Sequence, residues 1–388
     1  MIKIRVICEI FEKKMYFCVM AGLYLHIPFC KSKCAYCNFF SVVSDRQRAD
    51  FLEALKKEAV NRKDYLGGEE VRTVYFGGGT PSLLKPSEIS EILDVLNKNY
   101  PIVENPEITL EANPDTVSKE SLIEYNKLGI NRLSIGIQSF FDDDLQYLSR
   151  KHDSKHALQV LDWAQEVGFQ EVTMDLIYGI PTLTDEKWQK NLEIFFSKGI
   201  NHLSAYALTV EEKTALGQRI NKGVAAPVDE DATVHQYEIL CKMTDNQGFE
   251  HYEISNFARP GHYSKHNTIY WKGEKYLGLG PSAHSFDGVS RQWNVAGVKD
   301  YCDSYSFEKE ILTLDDRYNE YVMTSLRTCG GCDVEFIRQN FGEKYAKKFE
   351  KSVKNHISSG KMFQKDKKFI LNDNGMLFAD GIAAELFV

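Results

Sequence analysis

From Leu23 onward, short β-rich runs alternate with longer segments whose apolar residues recur every three to four positions. The runs are "LYLHI", "VRTVYFGGG", "EITLEAN", "RLSIGIQS", "EVTMDLIYG" and "HLSAYAL". Between them, helical periodicity covers Asp50 to Tyr65, Pro86 to Asn99, Ser118 to Leu128, Ser154 to Val167 and Asp185 to Lys198. Ser87 before "EIS" and Asp185 before "EKW" are suited to cap two of these helices. Strands alternating with helices predict right-handed βα units around a parallel sheet, either open or closed into a complete or partial barrel.

After about residue 210 the rhythm breaks. A helix is expected from Asp229 to Gln247, and it leads into "HYEISNFARPGHYSKHNTIYWKGEKYLGLGPSAHSFDG". That stretch is rich in Gly, His and aromatic residues and poor in helical period, so it reads as a long functional loop region or a small sheet. From Asp315 the chain predicts a helix in "DDRYNEYVMTSLRT", helices near Val334 to Phe341 and Glu343 to Ser358, and short strands at "KMFQ" and "KFIL". Helices followed by a strand pair suggest a winged-helix-like module.

With 388 residues the chain exceeds one ordinary core, so a large domain with smaller ones is expected. Lys+Arg 47 against Asp+Glu 55 gives a net charge of -8, and there is no long basic run, which argues against a nucleic-acid partner. Nine cysteines, three of them clustered, suit a reducing compartment better than a disulfide framework, and the cytoplasm is the expected location. The opening "MIKIRVICEIFEKKMYFCV" is broken by charges and lacks the apolar stretch of a signal peptide or membrane span. Residues 1–19 therefore read as a disordered or artefactual extension, with Met20 as the natural start.

The chemistry concentrates in "CKSKCAYCNFF", where Cys30, Cys34 and Cys37 fall within eight positions of a loop after the first strand. Zinc would require a fourth ligand, and His26 lies close enough in sequence to supply it. A cubane iron–sulfur cluster held by three thiolates would leave one iron open to an external ligand. Spacing alone does not choose between them. "YFGGGTPS" ends the second strand in Gly77, Gly78, Gly79 and Thr80, where glycines permit close backbone approach at the C-terminal edge of a parallel sheet. The same edge collects Glu111, Gln138, Ser139 and Asp175 from later strands, with Arg150 after the fourth. Each alone could be a cap or a solvated strand end, but together they converge on one rim.

In this order, "HIPFC" with C-x-x-x-C-x-Y-C, "GGGTPS", "EANP", "RLSIGIQS" and "DLIYGIP" resemble the radical S-adenosylmethionine (SAM) enzymes. The likeness is greatest to the branch that contains oxygen-independent coproporphyrinogen III dehydrogenase (HemN) and the related haem chaperones, and it runs from about Leu23 to the C-terminus. It implies an α/β fold, a partial (β/α)6 TIM-like radical SAM barrel followed by a C-terminal α+β winged-helix-like module. The divisions are 20–210 for the core, 211–314 for a connecting region and 315–388 for the module. The resemblance also implies a [4Fe-4S] cluster on Cys30, Cys34 and Cys37 whose open iron takes the amino and carboxylate groups of SAM. Reductive cleavage of SAM then yields methionine and a 5′-deoxyadenosyl radical. The resemblance assigns the glycine backbone (Gly78, Gly79, Thr80) to the SAM amino group and Glu111 to SAM, and it sets Tyr24 and Tyr36 beside the cluster. Gln138, Arg150 and Asp175 match positions that contact a second SAM in the dehydrogenase.

Two departures point away from the dehydrogenase and toward the chaperone. Phe39 stands where the dehydrogenase pattern has a further cysteine, and there is no long segment ahead of the cluster. "KHNTIYW", residues 265–271, carries the H-N-x-x-Y-W motif that the chaperones share and that is linked to haem binding. A neutral imidazole at His266 suits an iron axial ligand, and Tyr270 and Trp271 offer faces for a porphyrin; His251, His262 and His284 compete as ligands. Cys329 and Cys332, the "CGGC" pair, read as free thiols in a loop. The expected protein acts as a haem chaperone rather than as coproporphyrinogen III dehydrogenase, delivering haem to apo-haemoproteins such as respiratory enzymes. It would use an electron donor for its cluster, and peripheral membrane contact and homodimerisation are compatible with that role. Coproporphyrinogen III dehydrogenase is the alternative.

Overall fold

The computed structural model describes residues 21–388, so the expected extension 1–19 and the start at Met20 lie outside the described residues. Six parallel strands follow one another in order: β1 (Ala21–Ile27), β2 (Val71–Gly78), β3 (Ile102–Ala112), β4 (Arg132–Gln138), β5 (Glu171–Tyr178) and β6 (His202–Ala207). They are the six runs read from the sequence. Their outward residues are apolar and buried against crossover helices. In Pro86–Asn99, for example, Ile89, Ile92, Leu93 and Leu96 form one buried stripe. Each such side chain contributes about 1.5–3 kcal/mol of burial.

Two cap expectations are corrected. Ser87 lies inside its helix, whose start is set by Pro86 at the first turn and by the Glu88 carboxylate accepting the Lys85 N–H at 2.6 Å. Thr184, not Asp185, caps the next case by accepting the Lys187 N–H at 3.3 Å, which leaves Asp185 to favour the positive end of the helix dipole.

The aromatic stretch after residue 250, read as a loop region or a small sheet, forms strands that make the two flanks of the main sheet. Strand Tyr276–Leu279 pairs parallel with β1, and His284–Phe286, Ser290–Asn294 and Phe307–Ile311 extend that side antiparallel. Asn256–Ala258 pairs antiparallel with β6 and is followed outward by Glu250–Glu253. The result is one sheet of twelve strands. The motif read as part of a loop is a helix, Lys265–Lys272, started by Ser264 accepting the Asn267 N–H at 3.3 Å and stopped by Gly273 at φ 63°.

That helix forms the barrel floor. Glu107 in the middle of β3 accepts the His266 N–H at 2.9 Å, and Glu171 at the start of β5 meets His262 at 2.9 Å. Gly22 is required there, since a Cβ would come within 2.7 Å of Ile269 Cδ1 and 3.3 Å of His266 Cε1.

The C-terminal region has its own three-stranded sheet, in the order Cys332–Asp333, Lys368–Leu371, Met362–Lys365, packed with helices Leu314–Leu326, Val334–Phe341 and Glu343–Ser358. Two further helices, Asp373–Met376 and Ala379–Leu386, were not expected. Cys329 and Cys332 are not joined in a disulfide, and Cys332 is a fully buried strand residue rather than part of a loop. Among the described residues, no helix is long and apolar enough to cross a membrane.

Candidate functional site

The loop that leaves β1 is held at several points. Cys30 N–H donates to Val42 O at 2.9 Å and Val42 N–H to Pro28 O at 2.8 Å, closing a small ring of chain. Within it the buried Ala35 donates to Leu148 O at 3.3 Å and accepts from Leu216 N at 2.8 Å. These bonds leave Cys30, Cys34 and Cys37 half-buried and without disulfides, on a loop whose backbone is already fixed. His26 is not their fourth ligand. Its Nε2 is bonded to Phe40 O at 2.9 Å and its Nδ1 lies 3.3 Å from the Tyr24 hydroxyl.

Arg150 reaches Cys34 Sγ at 3.3 Å while also donating to Asn113 Oδ1 at 2.6 Å and Gly136 O at 2.8 Å. It arrives there because Ser149, at φ 60°, turns the chain after helix Asp142–Tyr147. Thr80 Oγ1 lies 3.5 Å from Cys30 Sγ. Burial raises the Cys37 thiol above its ordinary pKa, and the neighbouring Cys34 and Cys30 add to the effect. Three thiols without disulfides, facing one cavity, form a donor set that suits a multinuclear iron centre.

The glycine turn fits under this loop only without side chains. A Cβ on Gly79 would lie 2.8 Å from both Ile27 O and Phe29 O, and Gly78 has φ 108°. Gly79 N–H donates to Ile27 O at 2.8 Å and Thr80 N–H to Phe29 O at 2.7 Å, so the turn and the cysteine loop are tied together. Glu111 accepts Gly78 N–H at 3.1 Å and the Tyr75 hydroxyl at 2.8 Å.

Burial, with Asp175 adding to it, raises the Glu111 carboxyl to about 7, and burial raises Asp175 to about 6. Both values lie above those of the unfolded chain, so the native state holds extra protons between about pH 4 and pH 7 and stability falls as pH rises through that window. In the cofactor-free protein these two carboxyls should therefore add a downward slope to the melting temperature between about pH 5 and pH 8, against the upward slope from the buried neutral histidines such as His152 and His266. Glu111→Gln should reduce the downward part, and an unchanged slope in a pH series of thermal melts would contradict the assignment.

A cavity of about 590 Å³ opens at the C-terminal ends of the six strands. Of the residues expected at the site, Cys30, Cys34, Cys37, Tyr36, Gly78, Gly79, Thr80, Glu111, Gln138, Arg150 and Asp175 all line it. Tyr24 and His266 do not. Tyr24 lies below, its ring 6.0 Å from that of Tyr75. His266 is at the floor and 1% exposed, with Nδ1 2.7 Å from Thr73 Oγ1 and Nε2 2.9 Å from the Tyr270 hydroxyl. Burial lowers its pKa to about 3, so the ring is neutral. The sequence reading missed Asn113, Ser134 and Tyr206 on the cavity wall. Ser134 lies between the buried Leu133 and Ile135 on β4, a period-two signal in the sequence. Asn113 sits in the "EANP" motif beside the residue that was chosen.

Comparison with known proteins agrees with this geometry. The family model for the radical SAM superfamily matches residues 24–194, and the HemN C-terminal domain matches 312–378. The protein named heme chaperone HemW in Bacillus subtilis is 32% identical over 372 residues, covering 94% of this chain and 98% of that protein. The chain belongs to the HemW family of the radical SAM superfamily. The HemW proteins of Mycobacterium tuberculosis and Escherichia coli are 37% and 36% identical, each over about two thirds or more of both chains. The solved structure of coproporphyrinogen III oxidase (HemN) from Escherichia coli shares the fold, with a TM-score of 0.82 at 24% identity over 96% of this chain and 91% of that one. Membership of this superfamily implies a [4Fe-4S] cluster and SAM. The three unpaired thiols, the side-chain-free turn and the cavity between them fit that pair.

Proposed function

We propose that this HemW-family chain binds haem and passes it to apo-haemoproteins in the cytoplasm, with Cys30, Cys34 and Cys37 holding a [4Fe-4S] cluster and SAM lying against the glycine turn. The observation that carries the reading is the near-complete overlap with a protein named heme chaperone HemW. Phe39 supports it: at 70% exposure on the cavity mouth it offers no thiol where the dehydrogenase pattern has one. When bound, the cluster and SAM supply one-electron chemistry. The protein's own part is to hold them. The N–H groups of Gly78, Gly79 and Thr80 are spent internally, so the turn offers acceptors rather than donors, which suits an ammonium group. Glu111 adds a carboxylate to the same edge. The dehydrogenase stays as the second reading because Gln138, Arg150 and Asp175, which match its second SAM contacts, share one cavity wall.

Haem ligation through His266 is part of the proposal and requires helix Lys265–Lys272 to leave the barrel floor, breaking the ring's bond to Thr73, and Nε2 to be freed from Tyr270 on the same helix. His284 is the competitor that needs no such motion, being exposed with its ring 6.2 Å from that of Trp293. Haem is titrated into cluster-loaded protein under anaerobic conditions while the Soret band is recorded for His266→Ala and His284→Ala. The ligand variant should bind about tenfold or more weakly, and the other should match wild type. A parallel tube holds coproporphyrinogen III, SAM and reductant. Protoporphyrinogen formed there with consumption of SAM would replace the chaperone reading with the enzyme.

A further inference from the structure

Three side chains from separate parts of the fold meet at the seam between the barrel and the C-terminal module. Cys241 projects from helix Glu230–Asn246, His251 from strand Glu250–Glu253, and Asp373 opens helix Asp373–Met376. Their Sγ, ring nitrogen and carboxylate oxygen all lie within 4.8 Å of one another. We propose that this is a second metal site, for a single borderline divalent cation of the zinc type, which clamps the C-terminal module to the barrel.

The hydrogen bonds around His251 support this. Nε2 lies 3.3 Å from Ile254 O, an acceptor only, so that nitrogen carries the proton. In the neutral ring Nδ1 then presents a lone pair, and it faces Asp373 Oδ1 at 3.2 Å. Two lone pairs directed at each other need a cation between them. A second proton would serve the imidazole and the carboxylate, but it does not involve the Cys241 sulfur beside them, which also meets the Tyr237 hydroxyl. A divalent ion uses all three groups, and a ligating imidazole whose other N–H is held by a backbone carbonyl is the usual arrangement around metals.

One thiolate, one imidazole and one carboxylate match the ligand preferences of zinc and leave a fourth, tetrahedral position. That position faces water, since the Asp373 side chain is 61% exposed while His251 is 11% exposed. The donors are already fixed. The His251 ring stacks on Phe257 with centroids 4.2 Å apart at 13°. The Tyr237 hydroxyl donates to Asp373 O at 3.1 Å, and Asn372 Nδ2 donates to Gly360 O at 2.7 Å.

The test uses full-length protein with its iron–sulfur cluster already loaded, so that Cys30, Cys34 and Cys37 are occupied. The protein is equilibrated with micromolar Zn²⁺ and desalted, its zinc is counted, and the zinc X-ray absorption edge is recorded. One zinc per chain with a single sulfur at about 2.3 Å is expected. Cys241→Ser and His251→Gln should each lose it, and Asp373→Asn, at an exposed position that folding tolerates, should weaken it about tenfold. No retained zinc would overturn the proposal. So would zinc that is unaffected by Cys241→Ser and Asp373→Asn.

Discussion

Cys34→Ser is expected to remove the iron–sulfur centre and leave the fold standing. Serine keeps the size of the side chain but loses the soft thiolate, and two remaining cysteines do not retain a cubane cluster. Iron after anaerobic reconstitution should fall from about four atoms per chain to a small residue, with loss of the broad visible absorption. Stability of the cofactor-free protein should change by less than about 0.5 kcal/mol, because the side chain is half-buried and the loop is held by the backbone bonds of Cys30, Ala35 and Val42. Arg150 loses one of three partners and keeps Asn113 and Gly136. Full cluster occupancy in this variant, measured by iron analysis and absorption, would remove the basis of the cofactor assignment.

The largest effect on stability is expected at Glu58, far from the cysteines. It is 2% exposed and accepts from Gly280 N at 2.9 Å, Asn294 Nδ2 at 2.8 Å and the Tyr301 hydroxyl at 2.6 Å. Its ionic partner Arg62, at 3.3 Å, is 8% exposed and donates to Gln292 Oε1 at 2.7 Å. The network therefore ties helix Arg48–Asn61 to the strands that flank β1. Glu58→Leu removes one charge and leaves the other buried, which costs about 3–5 kcal/mol. Thermal melts should show a midpoint lower by roughly 5–10 °C. Glu58→Leu with Arg62→Met should recover part of that loss, because no uncompensated charge remains. If the double variant melted below the single one, the stability would lie in the polar network itself and not in charge compensation.

The six barrel strands and the cysteine, glycine and carboxylate motifs were legible because each reflects a local rule. A strand buried on one face alternates, and the glycine turn and the clustered thiols each lie in a short run of sequence at a strand end, which the fold brings to one cavity. The flanking strands were not legible. They are three to five residues long, too short for a period to show, and their pairing is decided by partners far away in sequence. Helix Lys265–Lys272 was hidden by its composition: Thr268, Ile269, Tyr270 and Trp271 favour strands locally, and docking on the floor beneath β1 and β2 overrides them. His266 shows the limit most clearly. Its motif was legible, but its burial against Thr73 and Tyr75 depends on the absence of a side chain at Gly22, which nothing near His266 in sequence reports.

The twelve-stranded sheet runs through the point near residue 210 where the sequence rhythm changes. A fragment cut there would keep Cys30, Cys34, Cys37, the glycine turn and Glu111, yet it would uncover β1 along the side that Tyr276–Leu279 covers and β6 along the side that Asn256–Ala258 covers. Two raw edges on a buried parallel sheet invite neighbouring molecules to add strands to them. The later half of the chain therefore acts as a cover for both edges of the radical SAM half, and a fragment without it is expected to self-associate.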